Sequence, residues 1–549
     1  MSDLFVRKAT GLVRSWSVFD AFVYALFSIN LITLGFYIFS QMYALQGGLV
    51  PALIISAFFI LFEVAVYAAL IAVMPRSGGD YIWQSRVLGG GVGFVLAVTG
   101  WWFILWLWVP LYSDMLRKSV ITPLLGIIGA KDAALWFGGT ADGFFVTALI
   151  TLALVSFYII LGMRTYARIQ KICFYGGMLG LLIVLILLLT GSPEAFKTGL
   201  EANSIALFGA QPGVYDATVK LGQDALAVLP LTGGSIGLIF LTMPYLVFFN
   251  LWPNWGATLY GEVRGATDFK RNFSGMAWAL GVTTVLAISV LFAISKTIGW
   301  EFYVQANGAF WNNAWGYTTN APALPVWPYP VLLAVFLTSN RIVQFIVVAL
   351  MSLWWFGWSG TVFLSSTRVI FAAAFDRLLP EKVAEIEPRT RTPLVALLMM
   401  VVPSIVVSYL YAYNYFNFQT LALDSTLVIS VTYLGTAIAA VLLPYRKPEL
   451  YKASPIATFK VFGVPLITVA GLVFGGFLTF LLVEWLFDPW LNTQGVAPGL
   501  YGISLANTSS VVYMVAMYAL AAAIYFGFKS YRKRKGIDIS KVHQEIPSE

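Results

Sequence analysis

Long apolar stretches separated by short polar ones run through nearly the whole chain, and each is long enough to be read as a membrane helix of about 20 residues. Twelve such segments fall at 17–44, 47–74, 92–116, 142–162, 166–191, 234–261, 273–298, 340–375, 393–415, 421–444, 461–487 and 508–529. Strands of a β-barrel pore alternate apolar and polar positions. Leu179 to Leu189 is apolar on every face, so the expected fold class is an all-α polytopic membrane protein. Segment 1 greatly exceeds a signal-peptide core of about 7–15 residues and lacks a small-residue cleavage site; it reads as a retained span. The intervals 192–233 and 299–330 carry charges, glycines and prolines and cannot cross a bilayer. Loops of that length are expected to be lids or packed caps.

Two segments are interrupted where a continuous helix is expected. Segment 6 holds Pro244, Asn250, Pro253, Asn254 and Gly256, and segment 1 holds a milder counterpart around Asn30, Thr33 and Gly35. Backbone groups freed at mid-depth must be paired by protein, ligand or water. The five-segment offset reads as two five-helix repeats. Two opposed broken helices of this kind present N–H ends suited to a carboxylate and carbonyl ends suited to a cation or ammonium. The competing reading is that Pro244 and Pro253 only kink a packed helix.

Composition narrows the chemistry. Of 549 residues, 59% are hydrophobic and 11% charged, too little polar surface for a soluble particle. The single histidine, His543, lies in the polar tail, and the single cysteine, Cys173, has no partner; disulfides, histidine triads and His/Cys metal clusters inside the membrane body are excluded. The sequence contains no phosphate-binding Gly-x-x-x-x-Gly-Lys-Ser/Thr loop. With the N-terminus inside, 26 of the 33 Lys and Arg fall on the cytoplasmic side and seven outside, which places both termini in the cytoplasm. The net charge of +8 is therefore topological and gives no reason to expect nucleic acid. Arg7, Lys8 and Arg14 open the chain, and the run from Lys529 to Lys535 is expected to lie against anionic headgroups.

Four sequence signatures carry a family resemblance. They are Pro75-Arg-Ser-Gly78-Gly79-Asp80-Tyr81 followed by Arg86 and Gly89; Gly261-Glu262-Val263-Arg264 with Lys270-Arg271; Arg368 with Asp376-Arg377-Leu-Leu-Pro380, Pro388-Arg389 and Thr392-Pro393; and Pro444-Tyr-Arg-Lys-Pro448-Glu449-Leu450. In order and spacing they resemble the amino acid, polyamine and organocation permeases. The resemblance implies twelve spans in a five-plus-five inverted repeat with discontinuous helices 1 and 6. On that plan residues 1–191 hold the N-terminal tail and first repeat, 192–233 an outer loop, 234–444 the second repeat, 445–529 two further helices and 530–549 a basic tail. The chain departs from the family's pattern in placing Thr33 and Leu34 before Gly35, and Trp252-Pro253-Asn254 in the second break. By alignment Gly176 or Gly177 stands where certain proton-driven relatives carry a lysine.

The expected activity is secondary transport of an amino acid or related amine across the plasma membrane by alternating access. No cofactor is expected, and the oligomeric state is open. The candidate substrate residues are Thr33, Leu34, Gly35 and Phe36 for the carboxylate, with Phe249, Asn250, Trp252 and Asn254 for the amino group and pocket shape. Glu63, alone inside its apolar segment, is a candidate for proton coupling or else a protonated structural carboxyl. Ser359 and Thr361 are candidates for sodium or for ordinary helix–helix hydrogen bonds. The tryptophans at 101, 102, 106, 108, 354, 355 and 358 form an aromatic wall or serve as packing and interfacial anchors. Asp114, Lys296, Arg341 and Asp424 stand near outer span ends. The alternatives are a carrier of the same fold for a nucleobase or organocation, or a non-transporting subunit; no residue set supports an enzyme.

Overall fold

The computed structural model describes residues 16–390, 392–422, 424–491 and 505–544. The expectations for Arg7, Lys8, Arg14 and Arg391 lie outside the described residues. Among the described residues, twelve helices are long and apolar enough to cross a membrane: span 1 (Val18–Gln41), span 2 (Leu49–Val73), span 3 (Gly90–Ile127), span 4 (Ala141–Ile160), span 5 (Met163–Thr190), span 6 (Ile236–Glu262), span 7 (Phe269–Thr297), span 8 (Arg341–Phe375), span 9 (Leu394–Ala412), span 10 (Asp424–Arg446), span 11 (Leu466–Asp488) and span 12 (Thr508–Arg534). The protein is a multi-pass helical membrane protein.

Capping side chains fix several span starts, because the first N–H groups of a helix have no partner within it. Ser17 and Asp20 form a reciprocal capping box at span 1. Thr140, Asp268, Asn340 and Asn507 accept from the first turns of spans 4, 7, 8 and 12. Span 3 runs past the expected end at 116 to Ile127, because Arg117 and Lys118 are neutralised by Asp114 within the helix and need not leave the apolar zone. Span 11 starts at Leu466, five residues later than expected, because Lys460–Val461 and Val464–Pro465 pair as a short hairpin.

Spans 5 and 8, 10 and 11, 7 with 1 and 2, and 4 with 9 pack side by side. Leu179, Val285 and Val512 point outward and are exposed, as lipid-facing residues are. Both long intervals are caps: 192–233 folds into helices Pro193–Phe208 and Val214–Asp224, and 299–330 supplies Trp300–Ala314. The two caps lean on each other, with the Cα of Gly222 close against Gln305.

Candidate functional site at two broken helices

Span 1 is helical over Val18–Ile29, breaks at Asn30, and resumes as a π-turn over Leu31–Gly35 that leads into Phe36–Gln41. The break therefore lies just before the Thr33–Phe36 stretch. Asn30 sits at φ 47°, a left-handed conformation that asparagine tolerates better than most residues. Its Oδ1 accepts the Thr33 N–H at 3.0 Å, and its Nδ2 donates to the Trp354 carbonyl of span 8 at 3.0 Å. The Asn30 carbonyl accepts from Leu34 and Gly35, and the Phe36 N–H donates to the Leu31 carbonyl. The N–H groups of Thr33 to Phe36 are thus all engaged within the chain.

Span 6 breaks in a different way. Its first half, Ile236–Asn250, passes through Pro244 without ending; Leu251 to Asn254 leave the helix, and Trp255–Glu262 continues as a 3-10 helix. Pro253 cannot donate a backbone hydrogen bond. The side chains here are only half satisfied. Asn250 Nδ2 donates to Ser56 Oγ of span 2 at 2.7 Å while its Oδ1 is buried without a partner; Asn254 Oδ1 accepts from the Tyr433 hydroxyl of span 10 at 3.1 Å while its Nδ2 is orphaned.

The two breaks meet. A Cβ on Gly35 would stand 2.9 Å from the Phe249 ring, and Phe39 packs edge-on to Phe249 at 5.1 Å. Glycine is required at 35 because any side chain would displace that ring. Thr33, Leu34, Phe36, Phe249, Asn250, Trp252 and Asn254 are all buried. Trp252 turns its ring into a box with Trp108 at 5.5 Å and Trp255 at 5.2 Å. Trp101 closes one side against Trp255 at 4.7 Å, and Trp358 closes another against Tyr112 at 3.7 Å. The indole N–H of Trp108 has no hydrogen-bond partner among the described residues, and that of Trp101 acts on the Asp80 carboxyl.

A third interruption, in span 8, escaped the sequence reading. The helix Arg341–Ser359 stops at Gly360 and restarts at Thr361, where the Tyr166 ring fills the space beside Gly360. The Thr361 carbonyl accepts from Tyr24 of span 1 at 3.0 Å and from the Trp255 indole at 3.2 Å, and its hydroxyl bonds with Tyr112 at 3.2 Å. Thr361 is thus joined to both broken spans, whereas the Ser359 hydroxyl stays on its own helix, donating to Phe356 at 3.3 Å.

Glu63 is wholly buried in span 2, with both carboxyl oxygens unpartnered. Asp80 lies in electrostatic reach of it, at the start of the connecting helix Asp80–Val87. Burial pushes the Asp80 carboxyl up to about 6, against the opposing pull of donors from Thr436 and Tyr67. Tyr24, Asp80 and Tyr433 are site residues that sequence reading missed, and Asn30 was named at the interruption but not among the substrate residues. Only Asn30 left a signal, an asparagine at the centre of an apolar segment.

Both ends are shut. On the face bearing Trp16 and His543, Arg368 pairs with Glu262 at 2.9 Å and Arg86 with Asp376 at 2.6 Å, all four buried; Tyr81 donates to the same Asp376 at 2.6 Å. Across the molecule, Tyr37 and Lys118 each reach Asp114 at 2.7 Å. Trp311 of the cap lies under the Lys118 ammonium at 4.5 Å and donates to Ser40 at 2.9 Å. Among the described residues no His, Cys, Asp and Glu cluster could hold a metal ion.

The sequence profile of a family described as amino acid permease matches residues 17–521. No curated protein matches the chain.

Proposed function

The chain belongs to the amino acid permease family, and from that premise we propose a secondary carrier of the plasma membrane that moves an amino acid or related amine by alternating access, with both termini cytoplasmic. The observation that carries this reading is the meeting of two buried, interrupted helices at Gly35 and Phe249. Spans 1–5 and 6–10 would form inverted repeats around that junction. The carbonyl end of Ile236–Asn250 suits an ammonium. A carboxylate reaches the Thr33–Phe36 N–H groups only if Asn30 releases the Thr33 N–H, so binding would be linked to movement at the span 1 break.

Energy would come from an ion gradient. Glu63 is the proposed coupling residue, and its orphaned oxygens favour a proton; the hydroxyls of Ser359 and Thr361, each bonded inside the protein, favour sodium less. Uptake of labelled amino acids and amines into proteoliposomes, at two pH values with and without sodium, tests the whole reading. Accumulation of at least one α-amino acid is expected, and none at all defeats it. A second reading, a carrier of an amine lacking a carboxylate, draws on the occupied N–H groups of span 1 and the tryptophan box, since indole faces attract organic cations. Uptake of amines alone would establish it.

A further inference from the structure

Four buried acceptor atoms lie along the junction of span 2, the span 6 break and the connecting helix, with no donor at hydrogen-bond geometry among the described residues. They are both oxygens of Glu63, Oδ2 of Asp80 and Oδ1 of Asn250. Helix geometry orders them. Ser56, Glu63 and Tyr67 lie seven and four residues apart, on one face of span 2. Ser56 is held by Asn250 at 2.7 Å, and Tyr67 donates to Asp80 Oδ1 at 2.6 Å. Glu63 therefore stands between the broken segment of span 6 and Asp80. Thr436 of span 10 donates to the same Oδ1 at 2.5 Å, so Oδ2 of Asp80 receives neither hydroxyl.

The titratable groups acting on this place are few. Span 2 is packed by spans 6, 7, 10 and 11. Among the described residues, the one charged group acting on Glu63 is Asp80, and the tyrosines that feel Glu63 are Tyr67 and Tyr433. Two buried carboxylates in mutual reach without a cation are strongly disfavoured, and Glu63, unlike Asp80, has no donor of its own. A single proton relieves that repulsion, and it can also supply the missing donor.

Resting on the carrier reading above, we propose that Glu63 and Asp80 form a two-carboxyl relay that takes up one proton opposite the span 6 break and passes it to the face bearing Trp16 and His543. In the transfer the Glu63 O–H bond breaks as an O–H bond forms on Asp80 Oδ2, leaving a Glu63 carboxylate and a neutral Asp80. Asp80 then gives its proton to water once the neighbouring Tyr81–Asp376–Arg86 knot opens, and Glu63 is reprotonated from the other side. Asp80 suits the second role because it sits on the connector two turns from Arg86, at the edge of that knot.

Infrared titration of the purified full-length protein tests this, reading the C=O stretch of protonated carboxyls in wild type, Glu63→Gln and Asp80→Asn. Wild type is expected to show a titrating band that is reduced in each variant, and removing either partner is expected to move the other's midpoint down by about one pH unit or more, the mark of coupled sites. Independent midpoints, or carboxyls that never titrate, overturn the proposal. So does loss of the band on replacing choline with sodium at fixed pH, which assigns the site to a metal cation. Should a variant fail to fold, Glu63→Asp and the wild-type curve decide, two coupled steps supporting the relay and a single unshifted step sinking it. No solute is needed, so a titrating pair in a protein without uptake defeats the carrier reading alone, while intact uptake without coupled titration defeats the relay alone.

Discussion

Spans 1 and 6 are both broken near mid-depth, yet they manage the freed polar groups in opposite ways. In span 1 one side chain closes the gap: Asn30 accepts the Thr33 N–H, donates to Trp354 in span 8, and adopts the left-handed turn itself. In span 6 the asparagines at 250 and 254 each make one bond and leave one buried atom without any. Unpaired buried polar groups cost about 1–3 kcal/mol each, so a protein keeps them where something else completes them. The first break is a finished joint between helices, and the second is a place with a standing demand for a partner.

If that contrast is right, the heaviest loss should come from the finished joint. Asn30→Ala removes a cap, forces a left-handed conformation on alanine, and strips the buried Trp354 carbonyl of its donor. A loss of about 2–4 kcal/mol in folding stability is expected, seen as a lower unfolding temperature in detergent. Asn30→Gly keeps the turn but not the bonds and should fall between alanine and wild type. A fall no larger than that of an exposed polar substitution would mean that span 1 does not depend on its joint.

Where the two breaks touch, the expected effect is somewhat smaller. Gly35→Ala places a methyl 2.9 Å from the Phe249 ring, and overpacking of this kind costs about 1–3 kcal/mol. Phe249→Leu makes room for it, so the double variant should recover part of the loss, with a coupling of about 0.5–3 kcal/mol for contacting residues. Strict additivity would show that the breaks do not bear on each other.

The contrast between the breaks also explains what could be read from the chain. Hydropathy is a local property, so the twelve spans were legible; the span 6 break was legible at Pro253 between Asn250 and Asn254, while Pro244 took the competing reading and lies inside an unbroken helix. The joint at Asn30 was visible as a residue but was assigned to the stretch after it, since a cap is recognised by what its side chain reaches, and Trp354 is 324 positions away. The stop at Gly360 looked like any glycine in a membrane helix until Tyr166 was seen to occupy the space beside it. Asp80 stood in a motif beside two glycines, with nothing in the sequence to show that Tyr67 and Thr436 would close over it. The paired functional atoms belong to residues far apart in sequence, and packing alone brings them together.

Span 6 offers the converse of the Asn30 experiment. Asn250→Leu removes the orphaned oxygen and the bond to Ser56, whose hydroxyl still donates to the Leu53 carbonyl at 3.2 Å. Stability should change by less than about 1 kcal/mol, while uptake of whichever solute the panel identifies falls about tenfold or more, equivalent to about 1.4 kcal/mol. A variant that is badly destabilised but transports normally would reverse the roles assigned to the two breaks.

The smallest effect is expected far from both, where the C-terminal tail docks. His543 is buried against Tyr81 at 3.4 Å and lies 3.8 Å from Asp376. Burial pulls its ring down to about 4, against an attractive pull from Asp376, whereas a free histidine titrates near about 6.5. The docked tail therefore favours the neutral ring. Its docking is fully present above about pH 6.5 and weakens as pH falls from there toward 4. The hydrogen-exchange protection of residues 535–544, taken relative to the intrinsic rate at each pH, should fall over that window in wild type and stay level in His543→Gln, with protection around Asn30 and Asn250 unchanged. A matching slope at either break would mean that the tail and the membrane centre move as one unit, and the separation between a closed joint and an open demand would then not be local to the spans that carry them.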